Sequence, residues 1–393
     1  MSWPIPELPA PVPPRSIDWR IWLLVFFAVS GLAVAGVLYL WPGGRSTQSP
    51  MFWAVLFGLP LCLFSILFGI RLNRWEEEQL SYEEQQEERA RLTGLWHRWA
   101  NHCTDVAFAT TFLSGIESID GWTSRDAILP VNLGRSCGLE WLPVSQGKQR
   151  PSSIFELVSD RLSAHLASVR ELDIVLLLDE QSLNESDTWK LAAQLALASE
   201  RRRVTVQVMP ASASMSNLQD RIDSEIAPAT LFVAFQLWHD AKGKPFSEGG
   251  AAILLRAKAR PDPLRPASVG LKGVHIFRPM HSLSEHFKED LFQLLDIQLV
   301  SKKAANFWLS AIGDDARGAV QVEAGNHPAT GEASVRDLDA VLGTVGPASA
   351  WIALAIALEI GLKSEAPQLL AVNDDGKHTL MFAVMQSTKE VMN

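Results

Sequence analysis

The chain has 393 residues, enough for about two or three modules and a substantial core. A formal net charge of −9 excludes the global basic field that a nucleic-acid binder carries. Three cysteines, Cys62, Cys103 and Cys137, lack CxxC spacing and exclude a disulfide framework; each reads as a small buried apolar residue in a reducing compartment, with no zinc site expected.

In chain order, residues 1–20 begin MSWPIPELPAPVPP, where proline favours an extended, solvated tail. From Ile21 to Trp41 the run IWLLVFFAVSGLAVAGVLYLW carries no charge and supplies about the 20 apolar residues that a membrane-crossing helix needs. The link PGGRSTQSP leads to a second uncharged run, Met51 to Ile70, interrupted by Gly58 and Pro60. The two runs predict a transmembrane hairpin over 21–70. Arg15 and Arg20 precede it and Arg71 and Arg74 follow, against Arg45 alone in the link, so the positive-inside rule places both chain ends in the cytoplasm of a bacterial inner membrane. A cleaved signal peptide is rejected, because a second span follows where a small-residue cleavage site should be. Of the 14 tryptophans, Trp3, Trp19, Trp22, Trp41, Trp53 and Trp75 lie at or near these segments, as interfacial anchors do.

Residues 71–104 are rich in Glu/Arg pairs at three- and four-residue spacing and predict a charged helical stalk. Beyond Asp105, short apolar runs alternate with amphipathic stretches, the pattern of α/β layering. SSIFELVSDRLSAHLASV is amphipathic, DIVLLLD reads as a strand, Ser186 to Glu200 as a helix, and VTVQVMP as a strand. TLFVAFQLW and GGAAILLRAKA predict a hairpin across a linker holding Lys242, Gly243, Lys244 and Pro245. QLLAVN and HTLMFAVMQ predict another, closed by an Asp374-Asp375-Gly376 turn. Between the two, Pro347 to Gly361 is apolar nearly all round, with proline placed as N1 and glycine as C′. It is too short to span a bilayer and predicts a helix buried between sheets.

This duplicated element order over residues 105–386, with halves of about 105–260 and 261–386 and a short tail at 387–393, resembles the thiolase-like fold of the condensing enzymes. The resemblance implies an α/β domain in five layers, α-β-α-β-α. Phe246-Ser247-Glu248-Gly249-Gly250-Ala251-Ala252 is similar to that family's F-x-x-G-E-G-A strand start, and Leu342-Gly343-Thr344-Val345-Gly346-Pro347-Ala348 to its G-H-x-x-G-A-A helix start. Asn373 to Val384 is similar to the glycine-rich final segment, but Asp374, Asp375, Lys377 and His378 break its glycine character.

Catalysis in that family needs a cysteine at a helix N-terminus and histidines that stabilise an enolate. At the nucleophile's place stands Met209-Pro210-Ala211-Ser212-Ala213-Ser214, with no cysteine. Ile312, before Gly313, occupies the first histidine's place and Thr344 the second's, so no catalytic, cofactor or metal residue is assigned.

Other clusters were weighed. His275, His281 and His286 with Glu285 and Glu289 have poor spacing for joint metal ligation and read as surface histidines. Ser212 or Ser214 with His239 lacks a G-x-S-x-G elbow and reads as capping or turn chemistry. Asp179-Glu180 ends an apolar strand, where α/β folds place ligands and where helices are also capped.

The two-span anchor, stalk and degenerate domain are similar to the type VI secretion lipase adaptors. That resemblance implies a non-catalytic adaptor or chaperone that receives a lipase-class effector in the cytoplasm and helps load it on the secretion spike protein. It also allows a homodimer paired through a central strand. The rival reading is an acyl-transferring or lipid-modifying enzyme using Ser212 or Ser214, which predicts a deep apolar pocket at those serines. A third is a structural membrane subunit.

Overall fold

A computed structural model describes the chain except residues 1–2, 7–8, 43–45, 117, 125, 213–214, 241–243, 259–272, 300–301, 365, 374–378 and 387–393. Lys242 and Gly243 of the first predicted hairpin linker and the Asp374-Asp375-Gly376 turn therefore lie outside the described residues, as do Lys377, His378, Arg45 and Ser214. Two compact units are present, one comprising residues 5–96 and the other residues 1–4 with 97–393.

The smaller unit holds α1 (Trp19–Leu40) and nearly all of α2 (Pro50–Ala100). Both helices are long and apolar enough to cross a membrane, with mean hydropathy of 2.5 and 2.3 over their apolar windows. Asp18 caps α1 by accepting from the Arg20 amide. Aromatic edges join the pair: Phe26 lies 5.0 Å from Phe64, and Trp41 4.9 Å from Phe52. Helix α2 runs through Gly58 and Pro60 as one helix into the charged stretch.

The larger unit contains, among the described residues, β1 (Cys103–Leu113), α3 (Arg150–Leu166), β2 (Glu171–Leu178), α4 (Glu180–Leu183), α5 (Ser186–Leu197), β3 (Arg203–Pro210), α6 (Ser216–Asp223), β4 (Ala229–Gln236) and β5 (Gly249–Leu255). The second half adds β6 (Val274–Phe277), β7 (Met280–Ser282), α7 (Phe287–Gln298), β8 (Asn306–Ser310), α8 (Asp314–Asn326), β9 (Ser334–Asp337), α9 (Leu338–Leu342), α10 (Ser349–Lys363), β10 (Gln368–Asn373) and β11 (Thr379–Gln386).

The strands form one sheet in the order β3-β2-β4-β5-β1-β6-β11-β10-β8-β9, with β7 on β11. Its two halves repeat each other. In the first, β2 pairs in parallel with β3 and β4, and β5 runs antiparallel between β4 and β1. In the second, β8 pairs in parallel with β9 and β10, and β11 runs antiparallel between β10 and β6. The seam is an antiparallel β1/β6 pair with Asp105 opposite His275.

Two cores fix the layers. The outer one packs Phe155 and Leu162 of α3 and Trp189 and Leu197 of α5 onto Leu176 and Val233. The inner one gathers Phe232 and Ile253 from the first half, Phe382 and Val372 from the second, and residues 351–358 and 360 of α10 between them. Helix α10 is the predicted central helix, shifted: it starts at Ser349 rather than Pro347, and Gly361 lies inside it rather than at C′. A Cβ on Gly361 would stand 3.2 Å from Val384 Cγ1, so glycine serves close packing there. Helices α7 and α8 pack on each other, and α7 on β7. The duplicated, layered α/β arrangement expected from the sequence is the observed one.

The N-terminal tail departs from its expectation. Trp3 is buried, donates its indole N–H to the Pro279 carbonyl at 3.1 Å and meets Trp99 edge-on at 5.9 Å. A ring of that size with a polar edge gains both burial and a hydrogen bond, which a purely solvated tail would forgo. Cys103 and Cys137 depart too, being half-buried rather than buried.

Candidate functional site

The three segments compared above with the condensing enzymes' catalytic positions lie at the end of β3, after β8 and after α9. At the first, β3 ends at Pro210, Ala211 and Met215 join the inner core, and Ser212 is exposed. At the second, β8 gives way to a turn in which Ala311 holds a positive φ of 58°. That conformation is unfavourable for a residue with a Cβ. It is held here because the Ala311 amide donates to both oxygens of Asp339, at 3.1 and 2.9 Å, while the Ser310 hydroxyl donates at 2.9 Å. Burial pushes the Asp339 carboxyl above its ordinary range, opposed by those hydrogen bonds. Ile312 is buried beside this turn.

At the third, Gly343 takes φ 92°, and a Cβ there would meet the Arg135 carbonyl oxygen at 2.2 Å. The segment 132–137 lies directly over this turn. The Asn132 amide donates to the Ala340 carbonyl at 2.8 Å, and the Thr344 amide to the Arg135 carbonyl at 2.9 Å. The Ser136 hydroxyl donates to Thr344 Oγ1 at 3.3 Å, and the Cys137 amide to Ser247 Oγ at 3.1 Å. The Ser247 amide in turn donates to the Thr344 carbonyl at 2.9 Å. The two sequence segments that resembled family motifs, around Ser247 and Thr344, are thus stitched together by a third that the sequence did not single out.

A pocket of about 160 Å³ opens at the carboxyl ends of β2 and β4, lined in part by Arg150, Ser182, Trp189, Leu237, Trp238 and His239. This is the sheet edge at which the sequence flagged Asp179-Glu180. Asp179 is buried and Glu180 exposed. The Asp179 carboxylate caps α4, accepting from the amides of Gln181 and Ser182 at 3.1 and 2.9 Å, and it also accepts from the Ser182 hydroxyl at 2.8 Å and the Leu237 amide at 3.1 Å. His239 Nε2 stands 3.2 Å from Ser182 Oγ and 3.3 Å from Asp179.

Ser, His and Asp therefore meet, but not as a relay. One ring nitrogen faces both partners, whereas a triad uses the two nitrogens for the two roles. The hydroxyl already donates to the acid and is fully buried. His239 thus pairs with Ser182 and not with Ser212, and the group is a capping network. Burial alone would raise the Asp179 pKa; the hydrogen bonds from His239, Ser182 and Leu237 outweigh it and carry the net value below the ordinary 3.8. Stability from this carboxylate is then present above 3.8 and lost as pH falls through the depressed folded value. Asp179→Ala is expected to lower stability by about 1–3 kcal/mol near neutrality, with the difference from the unmodified chain shrinking on acidification. Denaturation midpoints across pH 2–7 check it, and a difference that persists undiminished in acid contradicts the capping role.

The three histidines of the second half do not converge. His281 lies 3.3 Å from Gln219 Oε1, and His286 is exposed at the start of α7. Glu285 and Glu289 are exposed as well. His275 instead meets residues of β1, with Nδ1 2.6 Å from Asp105 Oδ1 and Cys103 beside them. The hydrogen bond to Asp105, then that to Cys103, pushes the His275 pKa up to about 9. Cys103 and Asp105 carry no local sequence signal, because only the β1/β6 register brings them to His275.

This is a duplicated, mixed α/β protein with two N-terminal apolar helices, and among solved structures it is similar in fold to several condensing enzymes. It is similar to the tetronic acid condensing enzyme AbyA1, at 12% identity over 72% of this chain and 99% of that one, with a TM-score of 0.45. The ketosynthase of module 1 of the bacillaene synthase from Bacillus amyloliquefaciens FZB42 is 10% identical over 75% and 77% of the two chains, with a TM-score of 0.49. The 3-oxoacyl-(acyl carrier protein) synthase III of Pseudomonas aeruginosa PAO1 is 13% identical over 72% and 98%, with a TM-score of 0.44. At such identities and scores the likeness concerns the fold's outline and nothing of the chemistry. No protein-family model and no curated protein matches the sequence.

Proposed function

We propose that the chain is a non-catalytic, thiolase-like adaptor or chaperone, anchored in a bacterial inner membrane by α1 and α2. It binds a lipase-class type VI effector in the cytoplasm and helps load it on the secretion spike protein. The observation that carries the non-catalytic part is the turn at Gly343–Thr344. The Thr344 amide and hydroxyl both donate to the Arg135 carbonyl, its hydroxyl oxygen accepts from Ser136 and its carbonyl accepts from the Ser247 amide, so Thr344 cannot act as a base there. Ser212 lies exposed and does not line the described pocket, which argues against the rival acyl-transferring enzyme.

The seating of Trp3 beside Trp99 supports the orientation. Two crossings return the chain to its starting side, so a residue before the first span and one after the second share a compartment. A rigid domain confined to a membrane raises the local concentration of whatever it holds, and a fold of this size offers several faces of about 800 Å², the usual area per partner.

The test uses the full chain in detergent as bait, beside Ser212→Ala and Ser214→Ala, with mass spectrometry of bound proteins and of the bait itself. Recovery of a lipase-class effector or spike protein, unchanged by the serine substitutions, is the expected result. An acyl group on the bait that vanishes in the substituted forms sinks the adaptor reading and leaves the enzyme.

A further inference from the structure

At the seam between the half-sheets, antiparallel register places Asp105 of β1 opposite His275 of β6, and Cys103 opposite Phe277. Residues two apart on a strand share a face, and directly opposed Cβ atoms stand about 4.5–5.5 Å apart, so the three side chains converge from one face. The Cys103 sulfur, an Asp105 carboxylate oxygen and a His275 ring nitrogen all lie within 4.8 Å of one another. Tetrahedral coordination with bonds of about 2.0–2.3 Å requires ligand atoms roughly 3.3–3.8 Å apart, within reach of small side-chain rotations.

We propose that Cys103, Asp105 and His275 form a three-ligand site for a zinc-class divalent cation. Thiolate with imidazole selects zinc or cobalt over magnesium and calcium, which take oxygen ligands. The Asp105 side chain is about half exposed, at 53%, so water supplies the fourth ligand, as in three-ligand zinc sites. Nearby charges act in both directions. Arg256 and Lys258 reach Asp105 electrostatically and oppose a cation, whereas Asp223 draws on Lys258, whose ammonium is turned to the Ile222 carbonyl at 2.8 Å. Binding displaces the proton shared by His275 and Asp105 and the thiol proton of Cys103. The site is independent of the adaptor reading, because neither Cys103 nor His275 belongs to the positions that reading uses.

The test starts with the full chain in detergent, titrated with zinc and with cobalt as a spectroscopic probe. One retained equivalent and a thiolate-to-cobalt charge-transfer band are expected. Cys103→Ala abolishes the band, and His275→Ala and Asp105→Asn weaken affinity by about tenfold to a hundredfold or more, while Cys137→Ala and His281→Ala change nothing. Should a substituted chain fail to fold, alkylation of the unmodified chain decides: zinc slows modification of Cys103 and leaves that of Cys137 unchanged. Metal retained equally after Cys103→Ala, no metal bound by the unmodified chain, or alkylation of Cys103 indifferent to zinc overturns the proposal.

Discussion

Arg150→Ala is expected to lower stability by about 3–5 kcal/mol, the range for breaking a buried ion pair from one side. Arg150 and Glu248 are both buried, with Nη2 2.6 Å from Oε1. The guanidinium also donates to the carbonyls of Trp238 and Leu142, at 2.5 and 2.9 Å. Glu248 accepts from the amides of Trp238 and Leu139, at 2.7 and 2.9 Å. Together the two side chains tie α3, the start of β5 and the segment after β4 into one network behind the pocket. Removing the guanidinium leaves a buried carboxylate without its cation. Urea denaturation of the full chain, followed by tryptophan fluorescence, measures the loss. Adding Glu248→Ala should recover only part of it, because the amides of Trp238 and Leu139 then lose their acceptor. A loss under about 1 kcal/mol for Arg150→Ala would mean that the network relaxes around the gap.

Trp351→Ala should cost a similar amount, about 3–5 kcal/mol, through lost burial and the cavity left behind. Trp351 is 2% exposed and stacks on Phe232 at 5.1 Å and 21°. Helix α10 touches β1 and β5 of one half and β8, β10 and β11 of the other. The substitution therefore weakens both halves together, and a single unfolding transition should move to lower denaturant without splitting. Two separated transitions would show that the halves do not depend on their shared helix. Trp351→Phe, which keeps most of the ring, should lose markedly less.

The sequence disclosed those elements whose signal is local. Uncharged apolar runs of about 20 residues announce α1 and the start of α2, because a stretch of that length and composition is long enough to cross a bilayer as a helix. The strands at DIVLLLD, TLFVAFQLW and GGAAILL are continuous apolar runs because both faces of each are covered, and α10 is apolar all round for the same reason. Interactions that depend on register left no such trace. Asp105 and His275 are 170 residues apart and meet only because β1 and β6 pair. Arg150 and its partner Glu248, which stands just before β5, are 98 residues apart. The segment 132–137 has no periodicity, and its role over Gly343 is carried by backbone groups that every residue possesses. Trp3 was misread because proline-rich composition describes the average behaviour of a tail and says nothing about a single aromatic anchor within it.

That anchor imposes an order on assembly. Trp3 and Trp99 bracket both apolar helices, so their contact closes a loop that contains the entire hairpin. If both helices cross a membrane, as proposed, then with one across and the other still outside the two rings would face different compartments and could not touch. On that proposal the latch closes last, after both crossings, and its closure would distinguish a finished hairpin from a half-inserted one.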